Sequence, residues 1–475
     1  MIILNSSLQK ISAEKTLRYD VDYSKYYQRH TTEYCSFNDL FSFPDVIEID
    51  VSNLEEDFLY CEIGDVNSNG EVMPVTLNFT KRQLEMESYY KKIEKGDILL
   101  AQPGDILISK VRPNLKKIVF ITNENCNIYY TSAFIRIRPQ IIPKILYYCL
   151  RSIFIDDINA LSRQGKGYPT ISESDLMTLK FDQKIIDKLL CNAVELEKTI
   201  TKLEKNIDKY KGTIKRPYDI INDVFSEVFK LDYSKIKDID DMKLFSVQTS
   251  RLILENQNAR FSCRWNKAFS SQEVLRKSVA CCEKLKKYIV SANNGWSPEC
   301  NEIATIYKVL SLDSIEKNGV LQTDKVKFTD ISRSNVEKFF VKEGDLFVSR
   351  GNGTDELIAM ASVAGKIDSE SEPIIYPDIM IKINLSEEVS SHYVAYAINS
   401  YFGRMYFKNV AKGSNKKKIT PFELGEFVLP CPELSEQERV VSIIQKKVRE
   451  QERVNIKIEG LRCKIYDAVF AKLSQ

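Results

Sequence analysis

Histidine and paired cysteines are scarce in this sequence, and their scarcity limits the chemistry that the chain can carry. The chain has two histidines, His30 and His392, and none of its eleven cysteines forms a Cys-x-x-Cys motif. A zinc site, or a Ser-His or Cys-His catalytic pair, therefore has few candidate side chains. We expect the cysteines to be buried free thiols of a protein in a reducing compartment.

Several catalytic motifs are also missing. Neither Gly-Lys pair is followed by Ser or Thr, so the chain has no P-loop. No two prolines are adjacent, which excludes the Asp/Asn-Pro-Pro-aromatic motif of amino-methylating DNA methyltransferases, and there is no Gly-x-Gly-x-x-Gly motif. Neither Pro44-Asp45 nor Pro377-Asp378 is followed by the acid-x-Lys triplet of a common nuclease motif. These absences favour a non-catalytic protein.

Long apolar runs and a strong charge of one sign are absent too. No stretch approaches the roughly 18 apolar residues of a membrane-spanning helix, and the first residues lack a signal-peptide pattern, so we expect a cytoplasmic protein without membrane association. A length of 475 residues predicts more than one domain. With 68 basic and 66 acidic residues the net charge is +2, so any surface for nucleic acid must be local.

Helix-capping patterns recur at a fixed spacing. Ser172 and Asp175 form a capping box, and Thr420 and Glu423 form a second one 248 positions later. With the same offset, the sequence from Ser172 to Asp219 aligns without a gap with the sequence from Thr420 to Asp467. A helix is predicted to begin at each box, and one register of this length indicates an internal repeat.

Strand signals also repeat upstream of the boxes, where Gly104-Asp105 lies 240 residues before Gly344-Asp345. Gly104-Asp105 and Gly344-Asp345 predict turns, and a helix is predicted further along each half. Two strands follow each turn, predicted at 106–108 and 129–139 in the first half and at 346–348 and 374–385 in the second. Each half is therefore predicted to be a mixed α/β globule.

Each globule is followed by a helix with a heptad seam. Apolar residues stand at 196, 200, 203, 207, 210 and 214, and again at Val454, Ile458, Leu461, Ile465 and Ala468, with a phase slip near Gln451. The predicted fold class is mixed α/β (α+β): two pseudo-repeated globules separated by two long antiparallel helices that form a coiled-coil spacer. The alternative is that each helix packs on its own globule.

Basic residues are concentrated in three loops that lack acidic residues, at 109–119, 161–169 and 408–419. The glycine-rich segment 349–356 adds Arg and Asn, which pair with guanine and adenine edges. A solvated face is the usual alternative for a charge run, and a surface turn for the glycine-rich segment. Recurrence beside equivalent caps favours DNA contact. The candidate DNA-binding residues are Lys110, Arg112, Lys116, Lys117, Arg163, Lys166, Tyr168, Arg350, Asn352, Thr354, Lys412, Asn415, Lys416, Lys417 and Lys418.

Together these features resemble the specificity subunit of type I restriction-modification systems, over nearly the whole chain. The most specific motif is Leu-Pro-x-Pro-x-Leu-x-Glu-Gln, whose candidate partner-docking residues are Pro430, Pro432, Leu434, Glu436 and Gln437. The resemblance implies target recognition domains at 1–182 and 230–430, each reading one half of a bipartite double-stranded DNA site. It also implies helical regions at 183–229 and 431–475 that dock methyltransferase subunits.

The resemblance further implies that this chain is not an enzyme and binds no metal or cofactor itself. S-adenosylmethionine would belong to two methyltransferase subunits, and ATP with Mg to a restriction or motor subunit. The first half departs from the pattern, because residues 179–187 contain neither Pro-x-Pro nor Glu-Gln. Two alternatives stay open: the specificity chain of a type II-like system whose partner both cuts and methylates, and a tandem-domain scaffold that binds proteins without DNA specificity.

Overall fold

The chain divides into two compact units. The first comprises Met1–Gly212 and Lys457–Gln475, and the second Thr213–Ile456. The computed structural model describes Tyr26 and residues 33–51, 54, 57–82, 86–164, 167–242, 262–303, 306–352, 357–367, 372–413 and 417–474.

In its described residues, the first unit has one four-stranded and one three-stranded sheet, with orders β2-β8-β5-β6 and β4-β3-β7, and two strand pairs, β1-β11 and β9-β10. Its strands are β1 (Tyr34–Ser36), β2 (Phe41–Ser42), β3 (Phe58–Cys61), β4 (Val75–Leu77), β5 (Ile106–Ser109), β6 (Ile118–Phe120), β7 (Tyr129–Tyr130), β8 (Phe134–Pro139), β9 (Arg163–Gln164), β10 (Pro169–Thr170) and β11 (Lys180–Asp182). Its helices before residue 212 are α1 (Phe37–Leu40), α2 (Glu87–Ile93), α3 (Pro143–Arg151), α4 (Ile155–Leu161), α5 (Glu173–Leu176), α6 (Gln183–Cys191) and α7 (Ala193–Lys211).

Where the structure describes it, the second unit repeats this plan with one more strand. Its sheets have orders β13-β21-β17-β19-β15 and β16-β14-β20, beside the pairs β12-β23 and β18-β22. Its strands are β12 (Cys282–Lys284), β13 (Ile289–Asn294), β14 (Tyr307–Leu310), β15 (Val320–Leu321), β16 (Val326–Thr329), β17 (Leu346–Ser349), β18 (Gly351–Asn352), β19 (Ala361–Ala364), β20 (Ile374–Ile375), β21 (Met380–Leu385), β22 (Lys417–Lys418) and β23 (Val428–Pro430). Its helices are α8 (Pro217–Phe229), α9 (Ser234–Asp241), α10 (Cys263–Ser278), α11 (Ser391–Asn399), α12 (Tyr401–Val410), α13 (Pro421–Gly425) and the part of α14 (Leu434–Ser474) that precedes residue 457.

The predicted turns and their strands are confirmed. Gly104 and Gly344 have φ values of 93° and 82°, a left-handed backbone that glycine adopts without steric cost. Each glycine precedes an aspartate and then a fully buried strand, β5 or β17. Both strands lie inside their sheets, where apolar side chains on both faces are buried.

The second predicted strand of each half is in fact two strands. Residues 129–139 divide into β7 and β8, which belong to different sheets, and 374–385 divide in the same way into β20 and β21. In the first unit the Asp97 carboxylate accepts hydrogen bonds from the side chain of Thr131 and the backbone of Ser132, which stabilises the turn between the two strands. The predicted capping boxes are both present, but α5 and α13 are single turns.

The two seam helices pack antiparallel, as predicted. Within the first unit, Lys472 pairs with Glu195 at 2.8 Å, and the Lys457 ammonium lies 5.8 Å from the centre of the Tyr210 ring. The alternative, in which a seam helix packs on its own globule, also occurs. Glu204 of α7 accepts hydrogen bonds from two residues of α3. In the second unit, Val440, Ile444 and Val448 of α14 pack in the main hydrophobic core. The seam of α7 is shorter than predicted, since the helix ends at Lys211 and Ile214 is 38% exposed.

The predicted fold class is confirmed: two repeated mixed α/β globules with long antiparallel helices. All eleven cysteines are free, but four are exposed and three are buried, so the expectation that they are buried holds for a minority. In the described part of the chain, no helix is both long and apolar enough to cross a membrane.

Candidate nucleic-acid interface

The first basic loop joins β5 to β6. Arg112 and Lys116 adopt left-handed backbone conformations there, with φ values of 50° and 56°. Buried Arg151 holds the end of the loop, because its Nη1 donates to the carbonyl oxygens of Lys116 and Ile118, both at 3.1 Å. A strained loop is therefore fixed by a side chain from the interior of the unit.

The basic side chains of this loop are held to different degrees. Lys110 and Lys117 each donate from Nζ to a backbone carbonyl of a neighbouring segment, at 2.7 and 2.6 Å. Arg112 and Lys116 are exposed. A phosphate can therefore approach Arg112 and Lys116 most freely.

The fold brings this loop against the second basic loop, which is part of the β9-β10 hairpin. The Arg112 guanidinium lies 5.4 Å from the centre of the Tyr168 ring, and the Arg112 backbone N–H donates to the carbonyl of Pro169 at 2.8 Å. The N–H of Ile171 donates to the carbonyl of Lys110 at 2.9 Å. Two loops that are distant in sequence thus form one surface. We call it the first basic surface, made of Lys110, Arg112, Lys116, Lys117 and Tyr168.

The second unit assembles an equivalent surface from Arg350, Lys417 and Lys418, the second basic surface. The N–H of Ile419 donates to the carbonyl of Arg350 at 2.8 Å, which repeats the Ile171 to Lys110 bond of the first unit. Strands β18 and β22 then pair, with Gly351 opposite Lys418. A Cβ atom on Gly351 would lie 2.8 Å from the Lys417 carbonyl oxygen, so this close approach requires glycine.

Two of the candidate DNA-binding residues are bound to carboxylates of the capping boxes. Arg163 Nη2 lies 2.7 Å from Asp175 Oδ1, and Lys412 Nζ lies 2.8 Å from Glu423 Oε1. Both carboxylates are buried. Burial opposes ionisation of Asp175, but the hydrogen bonds from Arg163 and Ser172 outweigh burial and lower its pKa.

Some candidates lie outside the described residues: Lys166, Thr354, Asn415 and Lys416. Asn352 is described only through its backbone, which forms part of β18.

One end of the five-stranded sheet adds residues that the sequence prediction, built on basic loops, missed. Strand β13 ends at Asn294, and β17 ends at Ser349. These two residues lie on either side of the first residues of β21. Asn294 and Ser349 are therefore at the same end of the sheet, and Arg350 extends from that end. Trp296 follows β13, and the Arg333 guanidinium lies 5.4 Å from the centre of the Trp296 ring. The sequence signal is Asn-Asn-Gly-Trp where a strand ends, which places amide and aromatic groups suited to base contacts at this edge.

The candidate docking motif is partly internal. Pro430 is buried in β23. Gln437 is 0% exposed, and its Nε2 donates to the Pro432 carbonyl at 2.8 Å. Leu434 is 38% exposed, and the side chain of Glu436 is 36% exposed. Of the five motif residues, Leu434 and Glu436 therefore offer the most accessible side chains to a partner.

Metal-ligating side chains do not converge in the part of the chain that the structure describes, where no three of His, Cys, Asp or Glu are placed to hold an ion.

Comparison with known proteins supports the resemblance found in the motifs. The type I restriction enzyme EcoKI specificity subunit of Escherichia coli (strain K12) is 23% identical over 190 residues, which is 40% of this chain and 39% of that protein. The aligned part thus spans less than half the length of that relative. This match confirms the resemblance to a type I specificity subunit. No family model matches the chain.

Solved structures give matches that extend over most of the chain. The S subunit of a type I restriction-modification system from M. genitalium covers 94% of this chain and 96% of its own, with a TM-score of 0.40 and 10% identity. The HsdS subunit from Thermoanaerobacter tengcongensis covers 93% and 96%, with a TM-score of 0.32 and 13% identity. A structure concerned with complex assembly and conformational transition of the type I R-M system covers 93% and 97%, with a TM-score of 0.37 and 13% identity.

Proposed function

We propose that this chain is the DNA sequence-specificity subunit of a type I restriction-modification complex. Each unit reads one part of a bipartite duplex site, within the domains 1–182 and 230–430. The observation that carries the proposal is a recurrence. Each unit joins the basic residue that follows its central strand, Lys110 or Arg350, to a basic hairpin through the same backbone bond, donated by Ile171 or Ile419. A run of charged residues that serves only solubility is not expected to recur at equivalent backbone positions of two units.

The two basic surfaces divide the work of DNA binding. Exposed Arg112 and Lys116, with Lys417 and Lys418, neutralise phosphates and so position the duplex. Arg350 reads base edges, because its planar guanidinium can donate two parallel hydrogen bonds to guanine.

Catalysis belongs to the partners in this proposal. Two methyltransferase subunits dock on the helical regions 183–229 and 431–475, with Leu434 and Glu436 in the contact, and they bind S-adenosylmethionine. A restriction subunit, where present, uses ATP and Mg. This chain contributes the choice of DNA sequence and no reacting group.

The test is to express the chain with its neighbouring methyltransferase gene in a methylation-free host and to map modified bases by single-molecule sequencing. A split motif with methylation in both halves and a fixed gap is the expected result. A complex that forms and leaves the genome unmodified would instead favour the protein-binding scaffold.

Phosphate contact has a separate test with a matched control. The double variant Lys417→Ala/Lys418→Ala should make the slope of log affinity against log salt shallower by about 0.9 for each phosphate that the protein no longer neutralises. Lys366→Ala is the control, because this exposed lysine follows β19 at the opposite end of the sheet from Arg350. Equal slopes for both variants would count against a phosphate role for the hairpin.

A further inference from the structure

The carboxylate at the third helical position of each capping box makes two kinds of contact. Asp175 is 1% exposed and Glu423 is 0% exposed. One oxygen of each accepts a hydrogen bond from the backbone N–H of the capping residue, at 3.0 Å in both units. The other oxygen binds a basic side chain, Arg163 in the first unit and Lys412 in the second.

Capping alone does not require a charge at these positions. Glutamine serves the same purpose in a capping box, and a neutral amide avoids the cost of burying an ion. A buried carboxylate is favourable only when a cation compensates it. The paired cation therefore explains why an acid stands at both positions.

The cations belong to the hairpins that carry the candidate DNA contacts. Arg163 lies in β9, opposite Thr170 of β10, and its Nε and Nη2 both donate to Asp175 Oδ1, at 2.9 and 2.7 Å. Lys412 forms an antiparallel bridge with Lys418 of β22. Each ion pair thus joins the first side of a basic hairpin, at Arg163 of β9 or at the bridge residue Lys412, to the short helix that follows the hairpin.

We propose that Arg163 and Lys412 are positioning residues, whose ion pairs with Asp175 and Glu423 hold each basic hairpin in its reading position. This inference rests on the proposed function. It changes the role of two candidate DNA-binding residues, Arg163 and Lys412, because neither side chain neutralises a phosphate. The two pairs lie in different units, so each one governs a different half of the DNA site.

The test uses the complete complex with its methyltransferase partner and duplexes that carry the mapped motif, or the motif with its first or second half scrambled. Arg163→Gln should reduce discrimination at one half-site by about tenfold, comparable to the loss of one well-read base pair, with an unchanged salt slope. Asp175→Asn should do the same, although it removes a negative charge from the surface region. The double variant should be no worse than either single one, and Lys412→Gln should affect the other half-site.

A phosphate contact predicts the opposite pattern. Arg163→Gln would then make the salt slope shallower by about 0.9, and Asp175→Asn would leave binding unchanged or strengthen it by releasing the arginine. Either result overturns the proposal. Arg163→Lys, which keeps a cation beside Asp175, should recover part of the lost discrimination.

Hydrogen exchange keeps the two proposals distinguishable. Without DNA, Arg163→Gln should speed exchange of the Arg112 and Ile171 amides, which bond the hairpin to the first loop, while the Leu176 amide in α5 stays protected. Unchanged exchange at Arg112 and Ile171 would refute the positioning role even if the wild-type complex reads DNA. A wild-type complex without sequence preference would refute the proposed function, and the reading role of the ion pairs with it.

Discussion

Gln437 tests how the second unit is held together, because its side chain is buried and fully engaged within the chain. Its Nε2 donates to the carbonyl oxygens of Pro432 at 2.8 Å and Glu388 at 3.3 Å, and its Oε1 accepts from the N–H of Ser390 at 3.0 Å. Ser390 is also the N-cap of α11. Gln437 therefore ties the first turn of α14 to the loop that precedes α11.

The expected cost of removing this side chain follows from those contacts. In Gln437→Ala the Ser390 N–H and the Pro432 carbonyl lose a buried partner, and each unsatisfied group costs about 1–3 kcal/mol. We expect a destabilisation of about 3 kcal/mol after partial relaxation. For a unit of this size, about 1 kcal/mol lowers Tm by about 2–4 °C, so Tm should fall by about 6–12 °C.

The assay is calorimetric unfolding of the full chain, with Glu436→Ala as the matched control. Glu436 neighbours Gln437 but pairs at 2.6 Å with Arg439, and both side chains are substantially exposed. Loss of such a pair changes stability by at most about 1 kcal/mol. The control should unfold like wild type and, under the proposed function, bind the methyltransferase partner less tightly. An unchanged unfolding temperature for Gln437→Ala would refute the reasoning and return Gln437 to the candidate docking residues.

Three further predictions concern stability. Gly295→Ala should lower the free energy of unfolding, measured by thermal unfolding, by about 1–3 kcal/mol, because its Cβ would lie 2.2 Å from the Tyr376 carbonyl oxygen. The control Gly365→Ala should leave stability unchanged, because nothing lies within 4 Å of its Cβ. Equal effects of the two variants would contradict this prediction. Arg151→Met should cost about 3 kcal/mol in urea unfolding by losing its bonds to three carbonyls, and a neutral effect would contradict their role. The pKa of Asp175 is lowered on folding, so its contribution is complete above about pH 4 and is lost as pH falls through the folded value. The stability gap between wild type and Asp175→Asn should therefore shrink below about pH 4, and a gap independent of pH would refute this.

Local signals in the sequence predicted the frame of each unit well. The Gly-Asp turns, the strands after them and both capping boxes depend on neighbouring residues, and each is confirmed in the structure. The division of 129–139 into strands of two different sheets was missed. The reason is that strand partners are set by distant segments, here β3 for β7 and β5 for β8.

The candidate sites were less predictable because they depend on long-range contacts and on burial. Nothing local indicates that Lys110 bonds to Ile171, which follows a separate hairpin. Charge alone made Arg163 a candidate DNA contact, since the sequence does not reveal that Asp175 is buried beside it. Trp296 was missed for the opposite reason, because a prediction based on basic loops passes over an aromatic residue at a strand end.

Each unit is stabilised by two carboxylates at equivalent positions, one in the Gly-Asp turn and one in the capping box, although the basic surfaces of the two units differ. Asp105 pairs with Arg136 at 2.6 Å and Asp345 with Lys382 at 2.5 Å, and each aspartate also accepts a hydrogen bond from the backbone N–H three residues earlier. The capping-box carboxylates add a second anchor to each frame. Because these anchors are internal to each unit, the loops between them can change composition while the frame is kept. The first surface carries an arginine-tyrosine stack. The second carries Arg350 and two lysines, and Arg350 extends from the sheet end where Asn294 lies. Different side-chain chemistry selects different bases. Under the proposed function, we therefore expect the two halves of the methylated motif to differ in sequence. A motif whose halves are inverted copies of each other would contradict this argument.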